Sequence, residues 1–208
     1  KNKNTIFALS TFFGQSALAV IRISGSRSKF VAKKLCNLKS LKPRYAYLCK
    51  ITDSYGEVFD EGLVIYFKKP NSFTGEDILE IQTHGSIAII NKLIEELKKI
   101  KNLRLAEAGE FSKRAYLNNK NNLLHYEGIN NLIAAESDNQ RKIANKQAFG
   151  QKKNPIQTWK KEIQMIKAVL NAQIEFVEEI NYNKNNHEIV ERLVNLTNSI
   201  EHAISQFK

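Results

Sequence analysis

Apolar and polar residues follow two different rhythms along this chain, and the change between them falls near residue 110. Before it, short β-branched and apolar runs dominate. TIFALS (5–10) and ALAVIRIS (17–24) read as strands separated by a turn at Gly14, and Gly25 with Ser26 opens a predicted helix through Leu35. RYAYLCKI (44–51) and VFDEGLVIYF (58–67) flank a DSYGE turn and predict a hairpin. SIAIINKLIEELKKI (86–100) places Ile87, Ile90, Ile94 and Leu97 on one helical face, and NLRLAE (102–107) predicts a last strand reaching Gly109.

Beyond that point the period is helical. EFSKRAYLNN predicts a short helix and LLHYEGINNLIAAESDNQRKIANKQAF (123–149) one long helix ending at Gly150. Pro155 opens another, with Trp159, Ile163, Ile166, Leu170, Ile174 and Val177 on its apolar stripe, until NYNKNN (181–186) breaks it. The last segment spaces Ile189, Leu193, Leu196, Ile200 and Phe207 close to a heptad seam. The predicted class is α+β: a mixed-sheet domain over residues 1–120, then antiparallel helices over 121–208. The last helix reaches Lys208 without a cap and the chain starts at Lys1, as expected of a piece of a longer protein.

The stretch NSFTGEDILEIQTHG (71–85) supports two local structures. Thr74 and Asp77 have a spacing resembling a capping box, but the segment closes on Gly85 and abuts the much stronger helix beginning at Ser86, so the strand reading is preferred. A strand puts Leu79 and Ile81 on one face, and Ile78, Glu80, Gln82 and His84 on the other. Glu80 is then a carboxylate in mid-strand among apolar neighbours, where an ionised group is rarely left without a partner. Arg22 occupies the matching position in VIRIS. Two readings are open: an internal ion pair between Arg22 and Glu80, or a carboxylate fork accepting a ring N–H and a neighbouring amino group, the edge that a pterin or guanine presents.

Charge adds to this picture through its placement. The 208 residues carry a net charge of +11, and residues 1–120 hold 21 Lys+Arg against 11 Asp+Glu, so nearly all the excess sits there. Such a surface attracts polyanions, RNA among them, although no RNP-like or helix-turn-helix pattern accompanies it. A composition of 42% hydrophobic and 25% charged residues, with no apolar run of membrane-spanning length, predicts a soluble, cytoplasmic protein without membrane association.

Other chemistry is excluded by its missing signatures. Cys36 and Cys49 have no metal or redox spacing, and His84, His125, His187 and His202 have no ligand spacing, so the thiols and imidazoles read as structural. No GxSxG, GxGxxG or GxxxxGK[ST] motif occurs, and the chain by itself is not expected to hydrolyse GTP or ATP.

TIFALS, AVIRISG, LKPRYAYL, PNSFTGEDILEIQTHG, AEAGEFSKRAYLNNK and the helix through NLIAAES, in this order and spacing, resemble the N-terminal part of the MnmE (TrmE) tRNA-modification GTPases. The likeness is strong over residues 5 to about 150. It implies a tetrahydrofolate-binding, homodimer-forming domain followed by the first part of a helical domain, with the GTP, Mg²⁺ and K⁺ sites in a G domain absent from these residues. It further implies work with an MnmG-type flavoprotein on C5 of the wobble uridine of tRNA, with 5-formyl-tetrahydrofolate or another tetrahydrofolate as one-carbon source. The family's folate contacts fall on Arg22, Glu80 and Lys120. The sequence departs from the family pattern at Ala108 (usually Pro), Ser86 (usually Gly, read as a position tolerant of left-handed backbone) and Asn122 (usually an acid). A non-catalytic dimeric scaffold, or an aminomethyltransferase-like protein using folate, are the competing expectations.

Overall fold

Two-residue alternation before residue 110 builds one mixed sheet, and helices cover its two faces unequally. The computed structural model describes residues 4–150, 155–175 and 182–205. Its strands are β1 (Thr5–Leu9), β2 (Ser16–Ser24), β3 (Ala46–Thr52), β4 (Val58–Phe67), β5 (Ile78–Gly85) and β6 (Leu103–Leu105). Its helices are α1 (Ser28–Cys36), α2 (Ile87–Lys98), α3 (Glu110–Leu117), α4 (Leu123–Ile133), α5 (Asp138–Phe149), α6 (Pro155–Glu175) and α7 (Tyr182–Ser205). The chain divides into two compact units, Lys1–Ala148 and Phe149–Lys208.

In the first unit the strand order is β3-β4-β5-β2-β1-β6, antiparallel throughout except for the parallel β1–β6 pair. Odd-numbered residues of β2 and β5 (Ile21, Ile23, Leu79, Ile81) face α1 and α2 and form the core with Phe7, Val31, Leu35, Val64, Tyr66, Leu93 and Leu97. Even-numbered residues face the other way, as the alternation predicts. On that second face the register aligns Ile65, Glu80, Arg22 and Ala8 in one row across four strands. One end of the face is closed at Ile6, Ser24 and Ile78, which are fully buried or nearly so, while Leu48 and Leu63, paired across β3 and β4, are exposed at 68% and 37%. Gly62 is required beside this row, because a Cβ there would lie 2.0 Å from the Gln82 carbonyl oxygen.

Three sequence expectations are corrected. The helix over 123–149 is two helices. Ser137 Oγ accepts from Gln140 N at 3.2 Å while Gln140 Oε1 accepts from Glu136 N and Ser137 N, a capping box that starts a new helix. α5 then crosses α4 where Gly128 allows backbone contact: a Cβ there would meet Ala148 N at 2.5 Å. On α2 the buried stripe is Ile90, Leu93 and Leu97, and Ile87 is half exposed at the first turn. Residues 182–186 of NYNKNN belong to α7 rather than to a break, and the rest of that connection lies outside the described residues.

The second unit is an antiparallel pair. Trp159 Nε1 of α6 donates to Ser199 Oγ of α7 at 3.0 Å, and Arg192 Nη1 donates to Glu162 Oε1 at 2.9 Å. Ile166, Ile189 and Leu196 are buried between the helices, whereas Ile163, Ile174 and Leu193 are exposed; Val177 and Phe207 lie outside the described residues.

Candidate functional site

The acidic stretch that precedes and enters β5 divides its carboxylates between two tasks. Glu76 and Asp77 hold the loop in place. Asp77 Oδ1 accepts from Tyr66 OH at 2.7 Å and from Lys69 N at 3.0 Å, and its backbone carbonyl accepts from Gly25 N and Ser28 Oγ. Burial, then the bond to Asp77, pushes the Tyr66 phenol above its ordinary range. Glu76 Oε2 accepts from Ser24 Oγ at 2.7 Å, and since that hydroxyl has one proton to give, Thr74 Oγ1, also 2.7 Å from Ser24 Oγ, is the donor in their bond.

Behind Glu76 stands a chain of alternating charges. Arg114 of α3 donates to Glu76 Oε2 and to Glu110 Oε1, each at 3.0 Å, and to the Asn4 carbonyl at 2.9 Å; Arg104 of β6 grips both oxygens of Glu110 at 2.7 and 2.8 Å. The Arg104 bonds, with Glu107 N and Arg114, outweigh burial and hold the Glu110 carboxyl at about 2, below its ordinary 4.5. A depressed pKa contributes stability that is complete above the unfolded value and is lost as pH falls through the folded one. Unfolding measured from pH 6 to 2.5 should therefore lose on the order of 3 kcal/mol from this group, beginning near pH 4.5, and Glu110→Gln should remove that part of the slope.

Glu80 has the other task. It sits opposite Arg22 in the β2–β5 register, and Arg22 Nε and Nη2 both reach Glu80 Oε1, at 2.8 and 2.7 Å. The internal ion pair is thus present. Among the described residues Oε2 of Glu80 has no hydrogen-bond partner, and the side chains of Arg22 and Glu80 keep 30% and 16% exposure. The open fork expected of Glu80 is reduced to one free oxygen, because both bonds from the guanidinium fall on the other. The Arg22 guanidinium also lies 5.5 Å from the centre of the Phe73 ring, which meets buried Tyr126 in a T-shaped arrangement at 6.1 Å between centroids.

Lys120, the third expected residue, is not in contact with that pair. It follows α3, its backbone N–H closing on Ala115 O at 3.0 Å and its Nζ donating to Pro70 O at 2.8 Å. It lines a cleft of about 420 Å³ together with Arg44, Phe67, Asn71, Ser72 and Phe73. Phe73 therefore belongs to both places: it touches Arg22 and walls the cleft that holds Lys120. Gly75, at φ +77°, lets the loop approach, since a Cβ there would meet Asn118 Cβ at 3.1 Å and Lys120 Cδ at 3.3 Å. His84 is separate from the cleft: its Nδ1 and backbone N–H bond Asp60. No group of three His, Cys, Asp or Glu among the described residues is placed to hold a metal ion.

Comparison with known proteins agrees with this architecture. The family described as "GTP-binding protein TrmE N-terminus" matches residues 5–120, more than half the chain, and that described as "MnmE helical domain" matches 123–208. The chain belongs to the TrmE/MnmE family. It is 47% identical over 176 residues to the tRNA modification GTPase MnmE of Rickettsia bellii (strain OSU 85-389), covering 84% of this chain and 40% of that protein. The protein of the same description from Rickettsia prowazekii (strain Madrid E) is 48% identical, with the same coverage, and that from Wolbachia sp. subsp. Drosophila simulans (strain wRi) 45% identical over 85% of this chain and 39% of its own length. The chain spans about two-fifths of the length of these relatives.

The departures from the family pattern are accommodated. Ser86 precedes α2 with φ −82° and ψ 134°, extended backbone that any residue adopts, so the left-handed requirement expected there does not exist. Asn122 caps α4, its Oδ1 accepting from His125 N at 2.9 Å, which an aspartate would do in the same way. Ala108 is exposed in the turn before Gly109, and Gly109 carries the left-handed φ of +71°. Arg44, Phe67 and Phe73 are the site residues that sequence reasoning passed over. Arg44 and Phe73 lie within LKPRYAYL and PNSFTGED, and their presence in those motifs was the available signal.

Proposed function

We propose that this chain is the tetrahydrofolate-binding, dimer-forming part of a tRNA-modification GTPase of the MnmE type. Its work on this reading is to hold a reduced folate, such as 5-formyl-tetrahydrofolate, for modification of C5 of the wobble uridine together with an MnmG-type flavoprotein. The observation that supports the reading best is Glu80: a carboxylate in mid-strand with Oε1 saturated by Arg22, Oε2 free, and the Phe73-walled cleft adjoining. A free carboxylate oxygen is an acceptor for the N–H edge of a pterin, and the bond gains strength from the charge and from partial burial. Arg22 fixes the orientation of the Glu80 carboxylate through two bonds to Oε1 and presents its remaining donors to ring carbonyl and nitrogen acceptors. Phe73 offers a flat apolar surface, and Lys120 a cation on the side of the cleft where carboxylates of a folate would lie. The folate, when bound, supplies the one-carbon unit.

GTP hydrolysis, with its Mg²⁺ and K⁺, belongs on this reading to a G domain outside these residues, in keeping with the missing phosphate-loop motif. The basic surface of residues 1–120 suits a tRNA partner. None of the described helices is long and apolar enough to cross a membrane, which suits action in the cytoplasm, where tRNA is modified.

Calorimetric titration of the chain with 5-formyl-tetrahydrofolate tests the folate reading. Saturable heat is expected. Its absence would favour the dimeric scaffold, in which the Arg22–Glu80 pair is architectural only; that reading has the observed pair in its favour. Dimerisation has a separate test. Leu48 and Leu63 form an exposed cross-strand apolar pair on the sheet face that also carries Arg22 and Glu80, and a second copy is their proposed cover. A charge placed there would be desolvated without a partner, so Leu63→Asp should weaken association by about tenfold or more and shift sedimentation at micromolar concentration from dimer to monomer. A wild-type monomer would contradict the dimer.

A further inference from the structure

The cleft beside the Arg22–Glu80 pair carries a recognition chemistry that the pair leaves unused. Two phenyl rings, Phe67 and Phe73, and two cations, Arg44 and Lys120, share its walls. The cations come from distant parts of the chain, yet both are tied to the same loop, Arg44 Nη2 donating to Asn71 O at 3.0 Å and Lys120 Nζ to Pro70 O at 2.8 Å. Those bonds set the positions of the charged heads without neutralising them. Among the described residues neither Arg44 nor Lys120 forms an ion pair, whereas Arg22, Lys92, Lys99, Arg104 and Arg114 all do.

Rings beside unneutralised cations suit an aryl group followed by carboxylates. Phe73 is the wall that touches Arg22 of β2, whereas Arg44 stands 5.7 Å from the centre of Phe67, the last residue of β4, which lies across β5 from β2, so Arg44 marks the side of the cleft away from Arg22. We propose that the cleft receives the aminobenzoyl-glutamate end of the folate and that Arg44 grips the carboxylates of glutamates beyond the first, selecting folates with more than one glutamate. This rests on the folate reading given above. A guanidinium with most of its five donors free matches successive carboxylates along such a tail. A nucleic-acid phosphate would satisfy the cations equally, but a sugar–phosphate backbone makes no use of the phenyl walls.

Arg44 has a left-handed backbone, with φ 60°, and asparagine adopts that conformation more readily than other side chains. Arg44→Asn therefore removes the charge without opposing the fold. The test is calorimetric titration of the full chain with the monoglutamate and triglutamate forms of 5-formyl-tetrahydrofolate. Wild-type protein should bind the triglutamate about tenfold tighter, and Arg44→Asn should reduce that preference to about threefold or less. Equal wild-type affinities, or a preference that survives in Arg44→Asn, would overturn the inference and leave the folate reading standing. Failure of both forms to bind would bring down the folate reading and this inference with it. Weaker tRNA binding by Arg44→Asn in a filter assay, with the glutamate preference intact, would assign the cleft to phosphate and overturn the inference.

Discussion

Arg114→Met should cost the mixed-sheet unit about 3 kcal/mol, the low end of the range for removing one member of a buried ion pair. The side chain of Arg114 is 7% exposed and serves three acceptors, in the 71–77 loop (Glu76), in its own helix (Glu110) and at the entry to β1 (the Asn4 carbonyl). Methionine fills the volume of the stem and donates nothing. Glu110 keeps its two bonds from Arg104, and Glu76, 28% exposed, keeps Ser24 and gains water, so neither carboxylate is wholly abandoned. That partial compensation sets the low end of the range. Because Phe149–Lys208 forms its own unit, a global unfolding signal would mix two transitions; amide exchange of β1, β2 and β5 isolates the relevant one. Protection there should fall by about a hundredfold. Unchanged protection would mean that the network holds nothing.

Glu80→Gln should weaken 5-formyl-tetrahydrofolate binding by between about tenfold and a hundredfold, the worth of one hydrogen bond to a charged acceptor. The substitution preserves shape and replaces a charged oxygen by either a neutral carbonyl or an amide N–H₂, and the latter would face the donors of the ligand. Stability should change by less than about 1 kcal/mol, because Arg22, 30% exposed, recovers water when its partner is neutralised. The separation of these two effects is the diagnostic feature. A loss of stability with no loss of binding would mark the pair as architectural.

The strands were legible because their chemistry is local. β-branched residues at a period of two, with the core on the odd positions, place Ile21, Ile23, Leu79 and Ile81 inward, and a charge at the same parity on each strand announces Arg22 and Glu80 as neighbours. The break between α4 and α5 was masked by Ala134 and Ala135, which favour helix, although Ser137 and Gln140 already carried the capping signal. The stripe on α2 was displaced because Ile87, at its first turn, is half exposed, and Leu93 rather than Ile87 joins Ile90 and Leu97 on the buried face. The cleft was the least readable part. Arg44, Phe73 and Lys120 meet through a loop path and a strand register that no local pattern encodes, and Lys120 was singled out by family likeness alone.

The most direct test of the central claim is a crystal structure of the chain with 5-formyl-tetrahydrofolate bound. Glu80 Oε2 is predicted to lie at hydrogen-bonding distance, about 2.9 Å, from a pterin nitrogen, with the aminobenzoyl group leading past Phe73 toward Lys120. A ligand seated elsewhere, with Glu80 still bonded to Arg22 alone, would contradict that claim.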